Sequence, residues 1–341
     1  MPKDTRSRFL RELAKHEPGL ARAFDEAVQS ARDAVVLRIL EEAIERGDIE
    51  FAVQVLARRD YFKAPLDQSI IEIFNAGGAY QANLIPKRGS NTAPRMEARF
   101  DILNDRGIET AKRLAGDLIT EITDDQQVMI RQTITEGMSE NRGYGKIARD
   151  LVGRKVGSKR VGGMIGLHSR QAEAVRRARA ELEAGEYGKY LSRSGNMRNR
   201  NVDRAVERAR RTGKPMTADE IDRSVRGYAD GLLKQRAKTI ARTEGNKAMN
   251  AGRHEGIQQQ IDSGAISAQN VTKTWVATIG KFTRDHHREL NGTKVKWGEK
   301  FISPETGFEM DRPHDPEAPP ADTVNCRCYE RISVDYLAMA T

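Results

Sequence analysis

Cys326 and Cys328 stand one residue apart, and three of the six histidines (His286, His287 and His314) precede them within the stretch 271–332. Thiolates and imidazoles are the usual ligands of zinc. On a strand, a C-x-C pair puts both sulfurs on one face. With His287 (or His286) and His314 they could complete a tetrahedral Cys2His2 set, and zinc is the cofactor this implies. The ion would staple a long loop in a small domain. The spacing is not that of a standard zinc finger. A second reading treats the cysteines as small buried apolar residues and lets the histidines hydrogen-bond to the loop. A disulfide at this spacing would be strained, so reduced thiols in a reducing compartment are expected.

The same residues could do acid–base or nucleophilic chemistry. Arg284, His287 and Glu289 could act on a phosphodiester. Cys326 and His287 could pair as nucleophile and base. No nuclease or protease signature surrounds either set. An R-x-x-H run followed by Asn291-Gly292 equally suits a structural corner, in which Arg284 bonds carbonyls and His287 fixes the loop. The reading taken is a protein that is not an enzyme. The alternative is a His/Cys-dependent enzyme acting on nucleic acid or peptide.

The elements that must position these groups form a compact α+β unit. A strand is expected over 271–279, with Val271, Trp275, Ala277 and Ile279 on one side. A helical turn follows over 284–290, then an Asn-Gly turn and a strand over 294–297. The loop 304–322 carries five prolines. A last strand from Asn325 would align Cys326, Cys328 and Ile332 on one face and Arg327, Tyr329 and Arg331 on the other. Immediately upstream, Ile240-Ala241-Arg242-Thr243-Glu244 lies late in a long helix.

This ordered set resembles the domain of protein F of phage Mu, shared by the minor head proteins called phage head morphogenesis proteins. The matching residues are Arg242, Thr243, Glu244, Trp275, Arg284, His287, Leu290, Gly292, Asn325, Cys326, Arg327 and Cys328. Where the family usually carries an acidic residue shortly before the arginine, this chain has Gly280-Lys281. The segments 100–127 and 166–182 look like those preceding this domain in larger members, so the resemblance covers roughly residues 66 to 333. It implies a minor head protein of a tailed bacteriophage in the capsid interior near the portal, and in the host cytoplasm during assembly. Its implied partners are the portal protein and other head components, and its implied roles lie in head assembly, DNA packaging or DNA ejection. Some relatives carry enzymatic domains beyond this unit. With Thr341 eight residues after Ser333, no such domain is expected in this sequence.

The rest of the chain reads as helices. Phe24, Ala27, Val28 and Ala31 recur at helical spacing, as do Val36, Ile39, Leu40 and Ala43. Gly47-Asp48 marks a stop before a helix over 49–56. A further helix should end near Gly77-Gly78, and 86–94 reads as a linker. Leu114, Leu118 and Ile122 share a face. Thr123 and Gln126 look like a capping box opening a new helix, which Gly137 ends. A short helix follows over 144–151. Residues 153–168 are glycine-rich and basic but lack Walker spacing, so a flexible connector is expected, with DNA-backbone contact open. Ser169 should cap a helix that stops at Gly185. Thr217 and Glu220 form a capping box, with Met216 and Ile221 as a staple, for a long helix breaking before Gly264. The four expected segments are an N-terminal helical one (1–65), a helical domain (66–188), a basic linker with the long helix (189–265) and the C-terminal domain (266–335). The fold class is mainly α, with elongated multi-helix N-terminal and middle regions and a small C-terminal α+β domain.

Charge supplies the last expectation. With 58 Lys and Arg against 49 Asp and Glu, the net charge is +9. The most basic stretch holds Arg193, Arg198, Arg200, Arg204, Arg208, Arg210, Arg211 and Lys214, which could track phosphates of double-stranded DNA without sequence specificity. The competing reading is a solvated linker with an arginine-bearing helix, and the acidic lumen of a portal ring is another target. No stretch is apolar enough to span a membrane, and the charged N-terminus lacks the apolar core of a secretory signal.

Overall fold

The computed structural model describes residues 4–85, 98–195 and 197–335. The linker expected over 86–94 lies outside them. The helices are α1 (Arg6–Asp33), α2 (Leu37–Glu45), α3 (Ile49–Leu56), α4 (Arg59–Ala82), α5 (Asp105–Ser139), α6 (Tyr144–Val152), α7 (Ser169–Glu183), α8 (Tyr187–Ser192), α9 (Arg200–Thr212), α10 (Ala218–Asp262), α11 (Asp285–Leu290) and α12 (Pro320–Thr323). The strands are β1 (Arg154–Val156), β2 (Lys159–Val161), β3 (Val271–Val276), β4 (Lys294–Lys296), β5 (Phe301–Ile302), β6 (Glu309–Met310) and β7 (Tyr329–Val334). The protein is mainly α with a small C-terminal α+β region. No helix among the described residues is long and apolar enough to cross a membrane.

Two compact units share the chain. One gathers 1–21, 66–117 and 238–341, and the other 22–65 and 118–237. The division falls inside α1, α4, α5 and α10, so each unit draws on segments far apart in sequence.

In the first unit, β3 is the middle strand of an antiparallel sheet ordered β4-β3-β7. Trp275 pairs with Glu330 across β3 and β7, and Thr274 with Lys294 across β3 and β4. Trp275, Leu290, Phe301, Met310, Cys326 and Cys328 bury one core beside this sheet. Ile85, Ile257, Ile266, Val271 and Ile332 bury another. The expected stop at Gly77-Gly78 does not occur, because α4 runs through both glycines. A side chain on Gly77 would overlap the Met249 carbonyl oxygen, and one on Gly252 the Phe74 carbonyl oxygen. The glycines let α4 and α10 approach backbone to backbone, a use of glycine that composition alone does not separate from a stop.

The first unit also buries the whole of Arg253. Its guanidinium donates to Asp4 Oδ2 (2.5 Å), Gln81 Oε1 (2.9 Å) and the Glu330 carbonyl (2.6 Å). The rings of Phe9, Tyr80 and Tyr329 lie within cation–π range of it, at 5.3–5.4 Å.

The second unit corrects five local expectations. Val36 and Ile39 are exposed, and α2 buries Leu40, Ala43 and Ile44 instead. Thr123 and Gln126 open no helix, since α5 is continuous through them. Thr123 bonds back to the Ile119 carbonyl at 2.9 Å, while Gln126 reaches Leu167 O (2.9 Å) and Gly166 N (2.8 Å). The helix also passes Gly137 by two residues. The expected connector over 153–168 is a hairpin of β1 and β2 followed by a fixed loop. The fully buried Arg32 donates to the carbonyls of Gly163 and Ile165 there, and burial pushes its pKa down to about 10. The Asp230 carboxylate accepts from Gly162 N at 2.7 Å, so that amide is already used. His168, one residue before Ser169, caps α7. The Thr217–Glu220 capping box forms as expected.

Candidate functional site

His287 lies on α11, a helix of less than two turns whose buried side is His286, His287 and Leu290. Its Nδ1 stands 3.4 Å from Cys326 Sγ and 3.5 Å from Cys328 Sγ. His287 Nδ1 and the two sulfurs fall within 4.8 Å of one another, and all three residues are buried. The Cys328 backbone N–H donates to Cys326 Sγ at 3.2 Å. The Cys326 thiol is held well below its ordinary value by the hydrogen bond from Cys328, against burial and with help from His314 and His287. The partner thiol of Cys328 is pushed up, by that same bond and then by burial. On the other side of the imidazole, His287 Nε2 lies 3.8 Å from Asp322 Oδ1. Asp322 is fully buried and accepts from Ser303 Oγ (2.9 Å) and Thr306 Oγ1 (2.8 Å). His286 Nε2 is 3.3 Å from the same carboxylate oxygen, and His286 Nδ1 pairs with Glu305 at 2.5 Å.

Of the four expected ligands, the structure gathers three. His314 is outside the close group, with Nε2 against Asn246 Nδ2 at 2.9 Å and Nδ1 buried without a partner. The cysteines share a pocket, but not because they lie on a strand. β7 begins at Tyr329, and Asn325 turns the chain in the left-handed region at φ 58°. His314 is also left-handed, at φ 61°. Asn and His tolerate that region better than most residues.

The residues around the C-x-C turn mostly bond its backbone. Thr243 Oγ1 accepts from Asn325 N at 3.0 Å. One helical turn on, Asn246 Nδ2 faces the carbonyls of Cys326 and Cys328, each at 3.3 Å. Arg284, at the N-terminal boundary of α11, donates to the Val324 carbonyl at 2.6 Å. Thr278 Oγ1 donates to the Arg327 carbonyl at 2.7 Å. Arg327 itself pairs with Glu17 at 3.7 Å. Gly292 takes φ 89° and donates to the Trp275 carbonyl, while the Trp275 ring meets His287 edge-on at 5.6 Å. Glu244 is buried and pairs with Lys247 at 2.7 Å, and Arg242 is half-buried with Nε unpartnered. Glu289 is on the exposed side of α11, so the structure does not join it to His287.

The basic stretch splits into two groups. Arg193 pairs with Glu181 at 2.8 Å and lies over Tyr228, and Arg198 pairs with Asp203 at 2.7 Å and lies over Tyr190. Arg208 pairs with Glu220 at 2.9 Å and, with Thr217, holds that carboxyl down to about 2. Arg200, Arg204, Arg210, Arg211 and Lys214 are exposed and have no ion pair among the described residues. Helix α9 buries Asp203, Val206 and Ala209. Arg200, Arg204, Arg208 and Arg211 follow one another at the four-, four- and three-residue steps that align side chains on a helix.

Residues 128–330, more than half of the chain, match the family described as Phage Mu protein F like protein. The chain belongs to the phage Mu protein F like family of head morphogenesis proteins. Minor head protein GP7 of Bacillus phage SPP1 is 34% identical over 93 residues, which cover 27% of this chain and 28% of that protein. An NAD(+)–arginine ADP-ribosyltransferase, EFV, of Enterococcus faecalis is 32% identical over 114 residues, covering 32% of this chain and 21% of that protein. The matched region thus spans under a third of either relative. No solved structure matches at that level.

In this chain the motif residues fall in one unit, and Thr243 and Arg284 bond the backbone of the C-x-C turn. Sequence reading missed Asn246 and Asp322. Asn246 stands three residues after Thr243, on the same side of α10, and that spacing was the available signal. Nothing in the loop sequence marks Asp322. A third missed group is the buried Glu330 and Lys273 with half-buried His254. There burial opposes the Glu330 carboxylate, yet His254, Lys273 and Arg253 hold it below its ordinary value.

Proposed function

We propose that this protein is a minor head protein of a tailed bacteriophage that acts by binding rather than catalysis. Family membership over residues 128–330 carries the reading, and the SPP1 relative agrees with it. In this reading the protein docks to the portal through its C-terminal region and sits in the capsid interior. Exposed Phe282 and Ile279, beside the Arg284 corner, support a docking role there. The exposed arginines of α9 contact packaged DNA through phosphates, without sequence readout, during head assembly or ejection.

Quantitative mass spectrometry of purified empty heads and mature virions, with portal subunits as internal standard, tests this. A small fixed ratio to portal is expected in empty heads. Absence from heads and virions alike would overturn the reading.

A second reading, a His/Cys-dependent enzyme, is favoured by the lowered Cys326 thiol beside His287 and by the ADP-ribosyltransferase relative. Burial of both thiols and of His287 argues against a substrate reaching them. Loss of a turnover in folded Cys326→Ser and His287→Ala variants would establish it.

A further inference from the structure

The geometry points to a zinc site made by Cys326, Cys328 and His287 Nδ1, with Asp322 as the carboxylate that orients His287. Three observations carry it, and none depends on the head-protein reading. First, a tetrahedral zinc with Zn–S of about 2.3 Å and Zn–N of about 2.0–2.1 Å places sulfur and nitrogen about 3.5 Å apart. The two sulfur–nitrogen distances here are 3.4 and 3.5 Å. A single imidazole lone pair can accept from one thiol, not two, so a hydrogen-bonded reading accounts for only one of them.

Second, the surroundings suit a thiolate at Cys326. The Cys328 N–H donates to Cys326 Sγ at 3.2 Å, and both cysteines are nearly fully buried, at 5% and 2% exposure. Buried negative charge needs a compensating cation. Third, the far nitrogen of His287 is buried without a hydrogen bond and lies 3.8 Å from the buried Asp322 carboxylate. A ligating histidine characteristically turns its other ring nitrogen to a carboxylate, which fixes the tautomer. The soft donor set selects zinc over magnesium or calcium. His314 lies outside the close group, with Nε2 against Asn246 Nδ2. The ion would tie α11 to the C-x-C turn, where the chain otherwise relies on hydrogen bonds to backbone.

The test uses the full chain, produced without a polyhistidine tag and equilibrated with zinc. Elemental mass spectrometry should find about one zinc per folded chain, retained on dialysis. X-ray absorption at the zinc edge should show two sulfur scatterers at about 2.3 Å. Cys326→Ser and Cys328→Ser should abolish retention. Because these variants could also unfold, Asp322→Asn is the second probe. It leaves every ligand in place and should weaken zinc binding about 10–100-fold at an unchanged circular dichroism spectrum. Folded wild-type chain that retains no zinc, or zinc with only nitrogen and oxygen neighbours, overturns the site. Unchanged affinity in Asp322→Asn overturns the role given to the carboxylate.

Discussion

The turn around Cys326 and the helix α9 are both dense in polar side chains, and they use them in opposite directions. Around Cys326 the polar groups point inward. Thr243, Asn246, Arg284 and Thr278 bond backbone atoms of residues 324–328, and Asp322 is fully buried. On α9 the cations at 200, 204, 210 and 211 point outward and are exposed. The family motif here marks how a loop is held, whereas these cations of α9 are exposed and have no ion pair among the described residues. Inward polar groups are costly to remove, because their partners stay buried and unsatisfied. Outward ones are nearly free to remove unless a partner molecule needs them.

That contrast orders the expected effects. Arg253→Met should be the most damaging, at about 3–5 kcal/mol, because it strands the Asp4 carboxylate and the Glu330 carbonyl. Urea unfolding followed by circular dichroism measures it, and a loss near zero would break the inward half of the comparison. Asn246→Ala should cost about 1–3 kcal/mol by leaving the Cys326 and Cys328 carbonyls short of a donor. Thr243→Val, nearly isosteric, should cost about 1 kcal/mol through the Asn325 N–H. Hydrogen exchange at Asn325 should accelerate in that variant.

Smaller again is the acid response of the link between α9 and α10. The Glu220 carboxyl is lowered from 4.5 to about 2 by Arg208 and Thr217. A depressed carboxyl stabilises above its unfolded value, so this contribution is complete above pH 4.5 and is lost as pH falls towards 2. It is modest, because the pair is solvent-screened. Glu220→Gln should flatten the stability profile across that window only. Last comes Arg200→Gln/Arg204→Gln/Arg211→Gln, which should change stability by no more than about 0.5 kcal/mol.

Much of the C-terminal region was legible because its signals are local. Asn291-Gly292 makes its turn, Arg284 immediately precedes α11, and a strand begins at Val271. The capping box at Thr217 and Glu220 was legible for the same reason. Legibility failed where a residue's role is set by something distant. Gly77 and Thr123 carry stop and cap signals, yet each lies mid-helix, Gly77 because Met249 approaches it. The basic run at 153–168 looked mobile because its anchors, Arg32, Gln126 and Asp230, lie elsewhere in sequence. The site shows the same limit. His287, Cys326 and Cys328 were readable by chemical type, but Asn246 and Asp322 acquire roles only once the chain has folded.

We propose that the exposed arginines of α9 contact DNA while the Cys326 turn serves as internal scaffold. The salt dependence of DNA binding, measured side by side for wild type, the α9 triple variant and Thr243→Val, tests it most directly. The slope of log K against log salt should fall by about 0.9 per arginine removed in the triple variant and stay unchanged in Thr243→Val. An unchanged slope in the triple variant would contradict the account.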